Sequence, residues 1–313
     1  MNKEDDIRLD QKVRAAWMYY IAGLNQSEIA SQLGTSRPVV QRLIAAAKDE
    51  GIVSIGLHHP VANCLDYAQL LKEKYQLTDC NILPVYSIES TLDSVTFGCY
   101  QLMARYLQGD KPTIVGIGSG LTLKKTIKRI DFDSQNTRCV ALISAMNEHG
   151  QCNYYDDVPL LLARKIQGKY YQWPAPRYAQ SREEYQMWST NRLFRNVSTV
   201  ARDSDVIFVG IGALGRQSPI FKDGFIDEQQ LEELTARGGV GEILGRFIDA
   251  EGNVVESQIN QMITSHDIRE SNCPRIAAAC GEDKRPAILA ALKGGWINGL
   301  VTDEHTARWL LTR

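Results

Sequence analysis

Apolar positions recur along this chain with two periods, and the change from one to the other divides it. Over residues 10–22 (DQKVRAAWMYYIA), Val13, Ala16, Trp17, Tyr20 and Ile21 fall at helical spacing and predict a helix. Two shorter helices are expected within residues 25–51. Asn25 can cap the first, at about 26–32, with Glu28 three residues on as the reciprocal partner. Gly34 can end it in the left-handed conformation. Thr35 or Ser36 then caps the second, with Pro38 in the first turn, where a missing N–H does no harm. On that helix Val39, Val40, Leu43 and Ala47 share one side, while Arg37, Gln41, Arg42 and Lys48 share the other. Residues 52–57 alternate enough for a strand, a candidate wing. Residues 63–76 predict a connecting helix with Leu65, Ala68, Leu71 and Tyr75 on one stripe.

Beyond that helix, apolar runs of strand length alternate with helical segments. Strands are expected at 81–85, 113–116, 137–142, 206–209, 247–249, 275–279 and 299–302, and helices at 90–107, 122–129, 158–166, 181–201 and 284–293. The near-continuous apolar strands within TIVGI and VIFVGI imply a sheet covered on both faces, as in a parallel α/β domain. The division expected is residues 1–60 and 61–313, with 58–61 as the exposed link. A chain of 313 residues fits two domains.

Composition narrows the class. The apolar and charged contents, 44% and 23%, are those of a soluble globular protein. No apolar run approaches the roughly 20 residues of a membrane helix, and MNKEDDIRLD has no secretory h-region. A cytoplasmic protein with no membrane association is expected. Seven scattered cysteines form no CxxC pair and read as reduced thiols. Adjacent His58 and His59 would point to opposite faces of a strand, so no metal site and no cofactor is expected. The net charge of −2 hides a bias: from Gln11 to Lys48 five cations face Glu28 alone, a local charge of +4. A cationic head on an acidic body fits a DNA-binding module joined to a domain of another kind.

The second helix of the pair, with its apolar back and Arg/Gln/Ser front, suits the DNA major groove; the alternative is an ordinary helical hairpin with a solvated face. The candidate DNA contacts are Gln26, Ser36, Arg37, Gln41 and Arg42. In the body, ligands are expected beyond the carboxyl ends of the strands. Three glycine-rich stretches are expected there as loops: 115–122, 237–245 and 279–285. In the first, Gly118, Ser119, Gly120 and Thr122 lead a strand into a helix N-terminus, the logic of a phosphate cradle without a Walker or GxGxxG pattern. The second offers Arg237, and Glu242 as an acceptor for hydroxyls; the third offers Lys284 for an anion. Each could equally be plain turn chemistry, but together they point to a small, hydroxylated, anionic molecule.

These residues resemble a known family, the SorC-type bacterial transcriptional regulators of sugar and polyol catabolic genes. The similarity runs through LNQSEIASQLGTSRPVVQRLIAAAKDEGIV, GIGSGLTL, VGIGALG, GGVGEILGRFIDAEGNVV and CGEDKRPAILAALKGGWINGLVTDEHTARWLL. The resemblance implies an N-terminal all-α helix-turn-helix domain. It also implies a C-terminal α/β effector domain similar to the ribose-5-phosphate isomerase/glucosamine-6-phosphate deaminase fold. The family loop resembles GxSWGxTL. Gly116, Gly120, Thr122 and Leu123 match it, whereas Gly118 and Ser119 stand where Ser and Trp are common, so the ligand's identity does not carry over. Glu242 stands where relatives often carry Asp or Glu, and Lys284 matches the lysine of their G-E-x-K loop. Tetramers are implied by the family; a dimer is the least that a specific operator requires.

The alternative reading is a sugar-phosphate isomerase or deaminase. Such chemistry needs a positioned base and an enediolate stabiliser. The loop 210–214, where the resembling enzymes hold acidic residues, is Gly-Ile-Gly-Ala-Leu. The expectation is therefore a regulator with no catalytic residues, whose partners are operator DNA and a sugar, polyol or sugar-phosphate effector.

Overall fold

In the computed structural model, residues 3–53, 60–109, 111–146, 150–152 and 158–313 are described. The chain separates into two units, Met1–His59 and Pro60–Arg313.

The first unit holds α1 (Lys3–Tyr20), α2 (Gln26–Gln32) and α3 (Arg37–Asp49). Asn25 caps α2 in full: its side chain accepts from the N–H groups of Ser27 and Glu28, and the Glu28 carboxylate accepts from the Asn25 N–H. Ser36 is the cap residue of α3, but its hydroxyl makes no capping bond. Gly34 has φ +60°, the conformation required of it in the turn. Ala15, Ile29, Ala30, Val40 and Ile44 form the small core. Ile44, rather than Val39 or Leu43, joins Val40 and Ala47 on the inward side of α3, because the buried stripe runs Val40–Ile44–Ala47. α1 begins seven residues earlier than its apolar spacing predicts, Val13 and Trp17 lie on its exposed side, and Ile21 is exposed in the turn after it. Ile52 and Val53 lie in a turn, and the rest of the expected wing, with the start of the expected link, falls outside the described residues.

The second unit opens with α4 (Pro60–Tyr75), followed by β1 (Asp79–Leu83), α5 (Ile88–Leu107), β2 (Ile114–Ile117), α6 (Leu121–Lys128) and β3 (Arg138–Ala141). Next come α7 (Val158–Lys165), β4 (Lys169–Tyr171), α8 (Arg182–Thr190), α9 (Arg192–Arg202) and β5 (Val206–Val209). The chain then leaves the sheet through β6 (Gly212–Ala213), α10 (Pro219–Lys222), α11 (Glu228–Ala236), β7 (Gly239–Ile243), β8 (Arg246–Asp249) and α12 (Gln258–Gln261). It returns as β9 (Arg275–Ala278), α13 (Arg285–Lys293), β10 (Gly299–Asp303) and α14 (Glu304–Leu311).

Seven strands form one sheet in the order β1-β10-β9-β5-β2-β3-β4, every pair parallel. Val206–Val209 is buried along its whole length, and separate apolar cores cover the two faces. β6, β7 and β8 form a second, antiparallel sheet. This corrects two expectations. Residues 247–249 belong to the small sheet, and most of 237–245 is strand and turn rather than a strand-end loop. Glycines there reflect close packing: a Cβ on Gly241 would come within 2.6 Å of the Gly212 carbonyl oxygen. The helix expected over 181–201 is two, because Asn191 takes an extended conformation and caps the second through the N–H groups of Leu193 and Phe194.

Candidate functional site

Strand order reverses direction between β2 and β5, since β2 connects onward to β3 on one side while β5, β9 and β10 build the other. In a parallel sheet such a reversal opens a crevice beyond the strand ends. A cavity of about 760 Å³ lies there, lined by the loops after β2, β5, β9 and β10. Its volume is within the usual range of a small-molecule site.

Two of these loops are built alike. After β2, Gly120 has φ +119° and leads into α6 with no side-chain cap; after β9, Gly281 has φ +104° and leads into the turn before α13. A side chain with a Cβ would be strained at either position. The uncapped start of α6 leaves its first N–H groups facing the loop, and the helix dipole favours an anion there. Gly118 lies one step behind the wall. Its N–H donates to the Phe208 carbonyl at 2.9 Å, and a Cβ there would meet Leu244 at 3.0 Å. The cavity is thus lined by Ser119, Gly120 and Thr122 but not by Gly118.

Glu242 enters from β7, opposite Gly212 of β6. Its Oε2 accepts from the Gly245 N–H at 2.7 Å, and the Gly245 carbonyl accepts from the Tyr178 hydroxyl at 2.7 Å. Burial raises the Tyr178 phenol, the Arg177 charge lowers it and the Glu242 charge raises it, so both charges stand close to that ring. Lys284 lines the cavity from the β9 loop, and its ammonium makes no hydrogen bond or ion pair among the described residues. The neighbouring Cys280 thiol is pushed up to about 11 by burial and by Asp303, with Lys284 opposing.

Arg237 stands elsewhere. It caps the end of α11, its Nε 3.0 Å from Glu233 and its Nη1 donating to the Glu256 carbonyl at 2.7 Å, and it does not line the cavity. The misplacement follows from reading 237–245 as a loop. Arg177, Asp303 and His305 line the cavity and were not legible as site residues. Asp303 has a structural task, capping α14 by accepting from the Thr306 N–H at 2.9 Å and its hydroxyl at 2.7 Å. A carboxylate ending an apolar strand before a helix was the signal available for it.

In the first unit, Ser36, Arg37, Gln41 and Arg42 are exposed and Gln26 is half-buried. The Arg37 Nε donates to the Gln26 side chain at 3.3 Å, which joins the starts of α2 and α3. The Arg42 Nε reaches the Pro38 carbonyl at 3.4 Å.

No cluster of three or more metal-ligating side chains occurs among the described residues, and no helix there is long and apolar enough to cross a membrane. A parallel α/β domain with a polar-rimmed cavity at its switch point, preceded by a small three-helix unit, is the architecture of a ligand-binding regulator. Comparison with known proteins agrees. The Sugar-bind family, a sugar-binding domain, matches residues 59–312. The erythritol catabolism regulatory protein EryD of Brucella abortus is 30% identical over 302 residues, 96% of this chain and 95% of EryD. The transcriptional regulator LsrR of Escherichia coli K12 is 31% identical over 313 residues, 96% of this chain and 94% of LsrR. The full-length sorbitol operon regulator SorC from Klebsiella pneumoniae superposes with a TM-score of 0.72 at 26% identity, covering 98% of this chain and 99% of SorC. The chain belongs to the SorC/DeoR family of transcriptional regulators with a sugar-binding domain. These relatives are regulators and not enzymes, as the acid-free loop at 210–214 led us to expect.

Proposed function

We propose that the protein controls a carbohydrate or polyol catabolic operon from the cytoplasm, with residues 1–60 as a helix-turn-helix head and residues 61–313 as the effector domain. The head binds operator DNA through α3, using Arg37, Gln41 and Arg42, with Ser36 and Gln26 beside the helix start. One head reads only a few base pairs, so dimers or tetramers occupy half-sites about 34 Å apart or at multiples of that spacing. The body takes a sugar, polyol or sugar phosphate in the strand-end cavity. In this reading its fold is of the ribose-5-phosphate isomerase/glucosamine-6-phosphate deaminase kind, with binding retained and catalysis lost.

The observation that carries the proposal is the grouping of Ser119, Gly120, Thr122, Glu242 and Lys284 around one cavity. The N-terminus of α6 and the Lys284 ammonium supply an anion subsite, and Glu242 supplies an acceptor for hydroxyls. The names of EryD and SorC place polyols among the compounds such relatives serve. Effector and operator communicate by a coupling free energy of about 1–3 kcal/mol. The test is fluorescence anisotropy of DNA upstream of the protein's own gene, titrated with protein in the presence of sugars, polyols and their phosphates. One compound that moves the binding curve identifies the effector. Equal curves across the whole panel would remove effector control.

A further inference from the structure

α4 and α14 lie side by side and run in the same direction. At their near ends the Cys64 thiol of α4 donates to the Glu304 carboxylate of α14, Sγ to Oε2 3.8 Å. At their far ends the Lys74 ammonium donates to the carbonyls of Leu310, Leu311 and Arg313 at 3.3, 3.2 and 3.0 Å, and the Tyr75 hydroxyl donates to that of Leu310 at 3.2 Å. Leu71, Ala307 and Leu310 are fully buried in one core. The far ends are thus held by a cation on the free carbonyls of a helix terminus, the near ends by a long thiol contact. Each near end leads to a different part of the protein. α14 follows β10 without a loop, and Asp303 and His305 at that junction line the effector cavity. The Asp303 Oδ2 accepts from the Gly281 N–H of the β9 loop at 3.4 Å and from the Thr306 hydroxyl at 2.7 Å, so one carboxylate joins a cavity loop to the first turn of α14. α4 starts at Pro60, where the second unit begins, and Cys64 lies about one turn into it. The Thr302 hydroxyl, just before Asp303, is fully buried with no hydrogen-bond partner among the described residues. An unsatisfied buried hydroxyl lowers the cost of rearranging the β10–α14 junction.

We propose that α4 and α14 relay the state of the effector cavity towards the DNA-binding head. Contact at Asp303 and His305 moves the first turn of α14, Glu304 carries the movement to Cys64, and the start of α4 shifts about far ends held by Lys74 and Tyr75. A short helix moves as a rigid body, so a change in its first turn reaches a neighbour packed along it. The cavity end of α14 meets α4 at its start, one turn from the chain that leads to residues 1–59, and not at its anchored end. The relay rests on the reading of the cavity as an effector site and of the first unit as the head.

A double-mutant cycle tests the relay without a ligand, so that it stands or falls apart from the effector reading. Anisotropy measures binding of the full-length protein to DNA upstream of its own gene. Asp303→Asn keeps an acceptor for the Thr306 N–H but loses the charge and the acceptor shared by Gly281 and the Thr306 hydroxyl. It should change the operator Kd by about three- to tenfold. In a Cys64→Ala background the same substitution should change it by less than about twofold, because the contact that carries the movement is gone. Lys74→Met is the comparison: it lies at the other end of α14, about 10 Å away along the helix, and its effect should add to that of Asp303→Asn. If Asp303→Asn does not fold, His305→Ala, which alters an exposed side chain on the cavity wall, takes its place in the cycle. Additive effects of the Asp303 and Cys64 substitutions, or equal coupling of Asp303→Asn to Cys64→Ala and Lys74→Met, overturn the inference, since the latter is a general softening of the domain. Calorimetry with a panel of sugars, polyols and phosphates that includes glucitol 6-phosphate then examines the effector. A compound that binds, and that moves the operator curves of wild type and Cys64→Ala alike, also overturns the relay. A panel without a binder removes the effector reading and leaves the outcome of the cycle standing.

Discussion

Gly212 and Glu242 face each other across the β6–β7 pairing so closely that a Cβ on Gly212 would lie 2.9 Å from the Glu242 carboxyl carbon and nearer still to Oε1. The absence of a side chain on one strand makes the space in which the carboxylate of the other meets the cavity. Gly212→Ala should therefore turn Glu242 away. The cost to folding should be small, under about 1 kcal/mol, because the obstructing atoms belong to the end of a flexible side chain. The affinity for glucitol 6-phosphate should fall by about tenfold, the loss of one charge-assisted hydrogen bond. Urea unfolding and calorimetry on the same variant measure the two effects separately. Unaltered affinity would remove Glu242 from the binding site.

The start of α3 carries a second prediction. Arg37 rests against Gln26 through a 3.3 Å hydrogen bond, which holds its exposed side chain over the α2–α3 turn. Arg37→Ala should weaken operator binding by about 1–3 kcal/mol if it reads a base edge, with effector affinity unchanged. Gln26→Ala should produce a smaller loss in the same direction, because it only steadies the arginine. A salt titration separates base reading from phosphate contact: loss of a phosphate contact lowers the salt slope by about one unit. Equal loss of operator and effector binding in Arg37→Ala would contradict a division of labour between the two units.

Lys284 gives the third. With no ion pair to break among the described residues, its removal should cost little stability, and its effect should appear in the ligand alone. Lys284→Ala should weaken glucitol 6-phosphate by at least about tenfold and leave free glucitol unchanged. Arg285 follows directly, with its Nη1 3.4 Å from Glu282, and Lys284→Ala tests whether that second cation suffices by itself.

Apolar runs made the strands of the main sheet legible, because a strand buried on both faces has to be apolar throughout, as Val206–Val209 is. The loops after β2 and β9 were legible because each needs a positive-φ glycine between a strand and a helix, at Gly120 and Gly281. The run Arg237–Gly245 looked the same in sequence and is different in space. Gly238 and Gly245 turn the chain at φ +83° and +79°, but Gly239 and Gly241 between them make room for close packing of β7, as the contacts of Gly241 with Gly212 and Ala287 show. Local composition does not distinguish a glycine that turns from one that makes room. Glu242 was found within it by chemistry, and Arg237 was misplaced by adjacency. Arg177 lay beyond reach for another reason: its fixing partners, Ser144 and Phe225, are 33 and 48 residues away along the chain, and neither forms a motif with it.

His266 provides a prediction in pH. The ring is 4% exposed, its Nε2 lies 2.9 Å from the Ser271 hydroxyl, and its pKa is pulled down to about 4. Burial is the largest cause, with Arg246 and Arg202 acting in the same direction and Asp267 opposing. In the unfolded chain the ring takes up its proton near pH 6.5, whereas in the folded protein it stays neutral until about pH 4. Between those values the unfolded state binds more protons, so stability falls as pH falls through that window and is fully present above it. The total change is on the order of 3 kcal/mol. Asp267, whose carboxyl is held below its ordinary value by Arg269 and Arg246 against the opposing effect of burial, adds a further loss only in more acidic solution. His266→Gln keeps a hydrogen-bonding partner for Ser271 but cannot titrate. Urea midpoints measured from pH 7.5 to 4.5 should therefore fall steeply for wild type and much less for His266→Gln. Parallel curves for the two proteins would show that the ring is charged, or unpaired from Ser271, in the native state.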